Sequence, residues 1–376
     1  MYRAGRHFLQ IPGPTNVPDR VLRAIDRPTI DHRGPDFARL GHEVLEGLQH
    51  VFRTSGPVVV YPASGTGAWE AAIVNTLSPG DKVVASETGH FATLWRAMAE
   101  TLGLEVVWLE GDWRHGADPE RIADALDDDV RAVMVVHNET STGVTTRIPD
   151  IRAAMGDHDA LLLVDTISSL ASIDYRHEEW GVDVTVGGSQ KGLMLPAGLS
   201  FNAVSEKAIE ASKTARMPRS YWDWTPILAA NEAGFWPYTS ATNLLYGLVE
   251  AVQMLREEGL ENVFARPARH AVATRAAVRG WGLEVLALDE REFSGALTAV
   301  MLEGSDEVRT IILERFDMSL GAGLGRLKDE VFRIGHLGSF NDLMLAGTLS
   351  GVQMGLTLAG HDVGDGVGAA LERLAA

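Results

Sequence analysis

The feature that most constrains this chain is a regular alternation of short β-rich runs and helix-like stretches between about residues 58 and 204. Apolar runs predict strands at 58–62, 82–86, 104–109, 132–137, 160–165 and 182–187. Several of these runs are continuously apolar, which is typical of strands covered on both faces. The intervening stretches predict helices at 67–77, 91–102, 118–127 and 149–156. This alternation predicts an α/β fold with a mostly parallel sheet that binds ligands beyond the carboxyl ends of its strands.

A second β/α pattern follows in the last third of the chain. Residues 243–279 are predicted to be mostly helical, with a break at EEGLENV. After Trp281 come a strand at TAVML, a helix near 305–316, the run EVFRIGHLG and a helix from about Asn341. A chain of 376 residues is long enough for two domains.

These patterns predict a large domain and a smaller α+β domain. The large domain is expected over residues 20–258, and the smaller one over residues 259–376 together with the N-terminal segment 1–19.

Composition excludes several classes of protein. The chain is 45% hydrophobic and 22% charged, as in globular proteins, and its net charge of −18 opposes binding to nucleic acid or anionic membranes. No apolar run reaches the roughly 18–20 residues that span a bilayer. The N-terminus shows no apolar core of a signal peptide, so we expect a cytoplasmic protein. The absence of cysteine excludes disulfides and thiolate metal ligands, and we predict no metal site.

The segment ASGTGAWE follows the first predicted strand directly. Small residues let the backbone approach an anion closely, and the following helix offers free N–H groups and the positive end of its dipole. Ser64 and Thr66 add hydroxyl donors on either side of Gly65. The segment fits a phosphate-binding loop, although an ordinary turn between a strand and a helix has a similar composition.

Two charged residues end or follow later strands. Asp165 closes the run LLLVD, where a carboxylate is costly to bury without a partner. Lys191 lies 26 residues further on, among glycine and apolar residues in VGGSQKGLMLPAG. Partial burial would lower the pKa of Lys191 and favour the free amine that bonds to an aldehyde. Taken singly, Asp165 could be a helix cap and Lys191 a lysine at an ordinary turn.

Taken together, these features match the needs of one cofactor, pyridoxal phosphate. Its phosphate needs a loop of small residues, its ring nitrogen needs a carboxylate and its aldehyde needs an amine. A nicotinamide-dependent dehydrogenase is disfavoured because SGTG lacks the G-x-G-x-x-G spacing and no acidic residue follows at the expected offset. A catalytically silent cofactor-binding or regulatory protein stays open at this point.

Longer motifs extend the pattern over almost the whole chain. They are IPGPTNVPDRVLRAI, SGTGAWE, NTLSPGDKV, VVHNETSTGVT, EWGVDVTVGGSQKGLMLPAGL, WPYTSATNLLYGL and VFRIGHLGSFNDLMLAG. The chain thereby resembles the class V aminotransferases of fold type I, and within them the serine–glyoxylate and alanine–glyoxylate aminotransferases. The resemblance implies a large domain with a seven-stranded, mostly parallel sheet and a smaller C-terminal domain.

The resemblance also implies a role for each matching residue. Lys191 would carry the cofactor and move the proton, and Asp165 would pair with the ring nitrogen. Phe91 in GHFATLW would stack on the ring, and Thr140 in HNETSTG would lie near its 3-hydroxyl. The residues expected at the phosphate are Ser64, Gly65, Thr66 and Gln190.

Two further segments complete the expected site. In WPYTSAT, Tyr238 and Thr239 match the segment that reaches the phosphate from a neighbouring subunit, which implies a homodimer with active sites at the subunit interface. Trp236 stands where some relatives have tyrosine, so the residue that reaches over is either Trp236 or Tyr238. Arg333 in FRIGHLG matches the arginine that binds the substrate α-carboxylate, and a guanidinium can grip a carboxylate with two hydrogen bonds.

The activity that the resemblance implies is transamination between a small amino acid and glyoxylate. Serine is the favoured donor and would give hydroxypyruvate and glycine; alanine and aspartate stay open as donors, and another 2-oxo acid stays open as acceptor. Lyases of the same fold share the Asp…Lys arrangement and form the alternative class. The cysteine desulfurases among them need a thiol, which this chain lacks.

Overall fold

A computed structural model gives the structure of residues 5–375, which contain two main β-sheets surrounded by helices. The strands are β1 (Phe8–Gln10), β2 (Val58–Tyr61), β3 (Lys82–Ser86), β4 (Glu105–Leu109), β5 (Val130–Val136), β6 (Asn138–Glu139), β7 (Val144–Thr145), β8 (Leu161–Asp165), β9 (Val184–Gly188), β10 (Ser200–Val204), β11 (Glu284–Val285), β12 (Leu297–Met301), β13 (Met318–Ala322) and β14 (Val331–Gly335). The helices are α1 (Asp19–Ile25), α2 (Pro35–Phe52), α3 (Gly65–Thr76), α4 (His90–Thr101), α5 (Pro119–Ala125), α6 (Ile148–Met155), α7 (Glu206–Thr214), α8 (Trp224–Asn231), α9 (Thr242–Glu258), α10 (Leu260–Gly280), α11 (Ser305–Phe316), α12 (Asp342–Leu358) and α13 (Gly366–Ala375).

The larger sheet has seven strands in the order β2-β10-β9-β8-β5-β3-β4. Every strand except β10 runs in the same direction, so the predicted mostly parallel sheet is confirmed. All six strands predicted from the apolar runs are present within one or two residues. The valine and leucine side chains of β2, β3, β5, β8 and β9 are buried because helices cover both faces of the sheet, whereas those of the edge strand β4 are half-buried.

The antiparallel strand β10 was not predicted. Its sequence, SFNAV, carries a polar Asn202 at its centre, which breaks the apolar run by which the other strands were found. The structure buries Asn202 completely and satisfies its amide, which accepts a hydrogen bond from the Tyr61 hydroxyl at 3.0 Å and donates one to the Ala68 carbonyl at 3.2 Å. A buried polar group is stable when it is hydrogen-bonded, so the strand forms in spite of the asparagine.

Register aligns the carboxyl ends of four parallel strands at one edge of this sheet. Val136 at the end of β5 is opposite Asp165, and Asp165 is opposite Val186 in β9. Through β10, Gly188 at the end of β9 lies in line with Tyr61 at the end of β2. The residues that follow β2, β5, β8 and β9 are therefore collected at the same edge.

Helix α2 illustrates how the outer helices pack. Its apolar residues recur at helical spacing and face inward, and they are Phe37, Leu40, Val44, Leu48 and Val51. A proline in the first turn starts the helix, and Arg53 ends it in the left-handed conformation with φ 52°. The buried stripe packs α2 against α9 and the sheet.

The smaller sheet has five strands in the order β1-β13-β14-β12-β11. β1 lies parallel to β13, so the N-terminal segment joins the sheet of the last third of the chain. This sheet and helices α11, α12 and α13 enclose a separate apolar core that includes Ile312, Phe332 and Leu349. The α/β fold with a second, smaller mixed sheet is thus confirmed.

Helices α9 and α10 meet at Gly259, within the break predicted from EEGLENV. The first turns of α10 pack on the large core and its later turns on the small one. We propose the division into residues 20–258 and residues 259–376 with 1–19, which places the boundary at this glycine. No helix within residues 5–375 is long and apolar enough to cross a bilayer.

Candidate active site

Lys191 lies three residues beyond β9, at the edge of the large sheet where the carboxyl ends of the parallel strands are aligned. Its side chain is only 7% exposed, and its Nζ donates a hydrogen bond to the carbonyl of Pro12 in the N-terminal segment. Thr15 of the same segment fixes the backbone nearby, since its N–H donates to the Gln190 carbonyl and its Oγ1 to the Lys191 carbonyl, both at 3.0 Å. The amine is therefore held between the large domain and the N-terminal segment.

The surroundings of Lys191 favour its uncharged form. Burial, together with the positive charge of Arg333, lowers the pKa of Lys191 to about 7, although Asp165 and Glu139 oppose the shift. A lysine with this pKa has a substantial fraction of free amine at neutral pH. Free amine is the form that attacks an aldehyde, so the site contains a competent nucleophile.

Asp165 ends β8 and is 4% exposed. Its Oδ1 accepts a hydrogen bond from the N–H of Ile167 at 2.7 Å. Burial, with the negative charge of Glu139 nearby, raises the pKa of Asp165 to about 7. A carboxylate that is costly to ionise in isolation gains most from a cationic partner, and a protonated ring nitrogen is one.

The start of α3 provides an open anion site. Ser64 is the N-cap of the helix but makes no capping hydrogen bond with its side chain. Among the described residues, none accepts a hydrogen bond from the N–H groups of Gly65 or Thr66. The Oε1 atom of Gln190 is also buried without a partner among them. These free groups lie where a helix dipole favours a phosphate.

Gly65 has a steric reason to be glycine. A Cβ at this position would collide with the side chain of Ile167, which lies two residues after Asp165. The start of α3 is therefore packed directly against the chain that leaves β8, and this close approach brings the anion site next to the buried carboxylate.

Phe91 and Thr140 are brought together by Glu139, which sequence reasoning missed. The carboxylate of Glu139 accepts hydrogen bonds from the N–H groups of Phe91 at 3.3 Å and Ala92 at 3.1 Å. Thr140 is the next residue and is buried. The Phe91 ring is half-buried and lies at a steep angle of 63° to the Trp69 ring, with centroids 6.5 Å apart. The sequence signal that could have identified Glu139 is its place directly after a buried apolar strand, in VVHNET.

Arg333 reaches the same site from the smaller sheet. It occupies the centre of β14 and is 7% exposed. Its Nε donates to the Ala322 carbonyl and its Nη1 to the Thr140 carbonyl, each at 2.7 Å. Its Nη2 makes no hydrogen bond with any residue between 5 and 375. Burial lowers the pKa of Arg333 to about 10, so it stays cationic at neutral pH and can bind a carboxylate.

Within the single chain, the segment 236–239 is hydrogen-bonded to β2 of the large sheet. Trp236 is buried, and its indole N–H donates to the Val60 carbonyl at 3.0 Å. The Tyr238 hydroxyl donates to the same carbonyl at 3.3 Å, and its ring stacks on Tyr221. Thr239 is exposed. Because its indole is held in the core, Trp236 is the less available of the two aromatic residues for reaching a neighbour.

The assembled groups suit one kind of ligand. A phosphate fits the start of α3, a ring nitrogen fits Asp165, an aldehyde fits Lys191 and a carboxylate fits Arg333. Asp165 and Lys191 are costly to ionise where they are buried. Gln190 Oε1 and Arg333 Nη2 have no hydrogen-bond partner among the described residues. No group of three or more histidine, aspartate and glutamate side chains within residues 5–375 is arranged to hold a metal ion.

Comparison with known proteins identifies the family. The sequence model described as Aminotransferase class-V matches residues 7–302. The chain belongs to the class V aminotransferases. Pyridoxal phosphate is the cofactor of this family, so the residues gathered at the sheet edge meet the needs of a group that the family uses.

Individual relatives of this class V aminotransferase cover it almost end to end. Serine–glyoxylate aminotransferase of Arabidopsis thaliana is 45% identical over 98% of this chain and 96% of the relative. L-aspartate–glyoxylate aminotransferase of Paracoccus denitrificans is 43% identical over 96% of this chain and 94% of the relative. The crystal structure of ureidoglycine–glyoxylate aminotransferase from Bacillus subtilis superposes with a TM-score of 0.92 at 27% identity, covering 100% of both chains.

Proposed function

We propose that this aminotransferase transfers the amino group of L-serine to glyoxylate, giving hydroxypyruvate and glycine. The observation that carries the proposal is the buried amine of Lys191, whose pKa is lowered to about 7 beside Asp165 and Arg333. The choice of serine and glyoxylate is supported by the Arabidopsis thaliana relative, which is named for both substrates.

Each residue of the site has a proposed task toward the cofactor. Asp165 would hold the ring nitrogen protonated, Phe91 would stack on the ring, Thr140 would lie near the 3-hydroxyl and Lys191 would bond to the aldehyde. The residues proposed for the phosphate are Ser64, Gly65, Thr66 and Gln190. When bound, pyridoxal phosphate takes up the amino group at its aldehyde carbon and draws electrons from the substrate α-carbon into its ring.

Lys191 and Arg333 act on the substrate. The Arg333 guanidinium binds the α-carboxylate and so orients the α-carbon toward Lys191. Once the substrate amine has replaced Lys191 on the aldehyde, the lysine Nζ would be free to accept the α-proton and to release it again. Proton transfer by a positioned group typically contributes roughly 10²–10⁴-fold to the rate. The low pKa of Lys191 matters because a protonated amine cannot accept that proton.

Two alternatives concern the reaction. Aspartate is an alternative donor, since the Paracoccus denitrificans relative is named for it and is almost as similar; alanine and other 2-oxo acids stay open as well. A lyase of the same fold is the alternative from another class, and the family assignment favours amino transfer over it.

The assembly and location are proposed separately. We propose a homodimer in which Tyr238 and Thr239 reach the phosphate in the neighbouring subunit. The cytoplasmic location stays a prediction.

The test is the visible absorption spectrum of the purified protein with pyridoxal phosphate, recorded before and after L-serine and again after glyoxylate. We expect a yellow band that serine bleaches and glyoxylate restores. Lys191→Ala should show no such band and no turnover, because no other amine replaces the buried one. Lys213→Ala, which removes an exposed lysine, is the matched control and should behave as the native protein.

The outcomes separate the parts of the proposal. A band that responds to aspartate or alanine but not to serine would keep the cofactor site and change the donor. Release of ammonia without formation of glycine would favour the lyase. A protein that forms no band with added pyridoxal phosphate would refute the proposed function.

A further inference from the structure

The helix that carries Phe91 has no cap of its own. Gly89, which precedes α4, has no side chain, and the first hydrogen bond of helical type is donated by Thr93 to the Gly89 carbonyl at 3.1 Å. The earlier N–H groups turn to another part of the chain: that of His90 donates to Ser141 Oγ at 2.9 Å, and those of the next two residues donate to Glu139. The start of α4 is thus held by the last residue of β6 and the loop that follows it.

Glu139 is the centre of this arrangement. It is completely buried, and its carboxylate accepts four hydrogen bonds. Two come from α4, and two come from Ser141, whose N–H lies at 3.1 Å and whose Oγ lies at 2.6 Å. A buried carboxylate is costly unless its oxygens are satisfied, and a helix N-terminus is a favourable partner for it.

The space around this carboxylate is closed. A Cβ at Gly89 would lie 2.6 Å from Glu139 Cδ and 2.5 Å from Ser141 Oγ. Only glycine lets the carboxylate approach the helix start, so Gly89 and Glu139 form a matched pair.

We propose that Glu139 is a positioning residue of the active site, which sets the Phe91 ring and the Thr140 backbone in fixed relation and supplies negative charge to balance Lys191 and Arg333. Phe91 is the second residue of α4, and Thr140 follows Glu139 directly. This inference rests on the proposed function, because the geometry matters only if a cofactor ring lies on Phe91.

The charges facing Glu139 agree with this role. Lys191 and Arg333 are the cations near it, and its negative charge raises the pKa of each against the effect of burial. Asp165 is the neighbouring carboxylate, and the charge of Glu139 adds to burial in raising its pKa. On α4 itself, His90 is the titratable side chain of the first turn, and Arg96 and Glu100, further along the helix, pair with each other.

Two substitutions separate the effect of the charge of Glu139 from the effect of its side-chain length. Glu139→Gln keeps the length of the side chain but removes the charge and one acceptor. We expect it to raise the Kd for pyridoxal phosphate about tenfold, since losing charge-assisted hydrogen bonds costs on that order. In the loaded protein, the pH midpoint of the yellow band should fall by about one unit, because the protonated nitrogen on Lys191 loses a nearby negative charge.

Glu139→Asp keeps the charge but is one methylene too short to cap α4. It should also raise the Kd while leaving the pH midpoint within a few tenths of the native value. Glu87→Gln is the matched control: this glutamate follows β3 and bonds to Trp113 and Gly111, neither of which belongs to the site. The control should change neither quantity.

Ser141→Ala covers the case in which Glu139→Gln does not fold. It removes the hydroxyl that bonds both Glu139 and His90 without changing the charge, and we expect a twofold to fivefold rise in Kd (roughly one hydrogen bond) with no change in the pH midpoint. If the Glu139 variants fold and keep the native Kd and pH midpoint, the inference about Glu139 is wrong, while the proposed function still stands. If they do not fold, a native Kd in Ser141→Ala has the same meaning. Absence of any band in the native protein would instead overturn the proposed function and this inference with it.

Discussion

Lys191 is placed between two segments that are far apart in the sequence. Its amine donates to the Pro12 carbonyl, and a Cβ at Gly13 would collide with its side chain. Gly13 has φ 110°, a conformation that favours glycine, so the N-terminal segment can pass directly over the lysine. This cover removes water from the amine, and that desolvation is the main cause of the lowered pKa.

The rate at which cofactor-free protein captures pyridoxal phosphate should depend on this pKa. The capture rate is expected to rise with pH, reach half its maximum near pH 7 and level off above it. The sign follows because lowering the pKa leaves the amine protonated and inert below about pH 7 and free above it. Stopped-flow absorbance at a series of pH values, with the product trapped by borohydride, measures the rate.

The exposed Lys213 provides the internal control for this experiment. Peptide mapping after trapping should find the cofactor on Lys191 and not on Lys213. A capture rate that keeps rising to pH 10 would show that the amine is not desolvated as described.

At the scale of elements, close helix packing depends on glycine at a few positions. Gly41 in α2 faces the turn after α8, where a Cβ would collide with the carbonyl of Gly234. Gly347 in α12 is equally helical, but a Cβ there would meet only the Phe8 ring, at an ordinary distance of 3.5 Å. The first position requires glycine and the second does not.

Alanine at these two positions should have opposite effects on the free energy of unfolding. Gly347→Ala should raise it by roughly 0.5–1 kcal/mol, since alanine is the better helix former and fits the available space. Gly41→Ala should lower it by about 1–3 kcal/mol, since the colliding atom belongs to the backbone and cannot rotate away. Urea titrations followed by circular dichroism measure both, and stabilisation by Gly41→Ala would contradict the tight contact.

At the scale of the molecule, the candidate active site lies where the smaller sheet contacts the loop after β6. Arg333 comes from the smaller sheet and donates to a carbonyl of the larger domain. Further out, the Arg326 guanidinium lies 4.4 Å above the Trp113 ring and 3.6 Å from Glu87. The candidate site therefore draws residues from both sheets' regions of one chain, and the segment 236–239 is proposed to come from a partner.

Mixing two inactive variants tests that segment. Lys191→Ala lacks the amine, and Thr239→Trp places a bulky group at an exposed position that is proposed to face the neighbour's phosphate. If the subunits share sites, a hybrid dimer has one site with a native lysine and a native Thr239, and mixing should restore activity that neither variant has alone. We would measure transamination after joint refolding, with sedimentation to count subunits.

Two results would contradict the shared site. Activity that stays absent in a mixture containing proven hybrid dimers would place all site residues in one subunit. A monomer with full activity would remove the proposed dimer altogether.

Several parts of this protein could be predicted from the sequence because their causes are local. Continuous apolar runs predicted the parallel strands, and the residues that follow such strands must lie at one edge of the sheet. Asp165 and Lys191 were found for that reason, and the structure buries both at the expected edge. Their roles, and those of the other site residues, stay predictions until the cofactor is bound.

Other features arise only from contacts between distant segments. Asn202 belongs to a strand because Tyr61 and Ala68 satisfy its amide, and Trp236 is buried because Val60 accepts its N–H. Glu139 caps a helix that begins almost fifty residues earlier in the chain. Sequence periodicity records which residues prefer to be buried, but partners for buried polar groups are decided by the tertiary fold, because any of many distant donors could satisfy them.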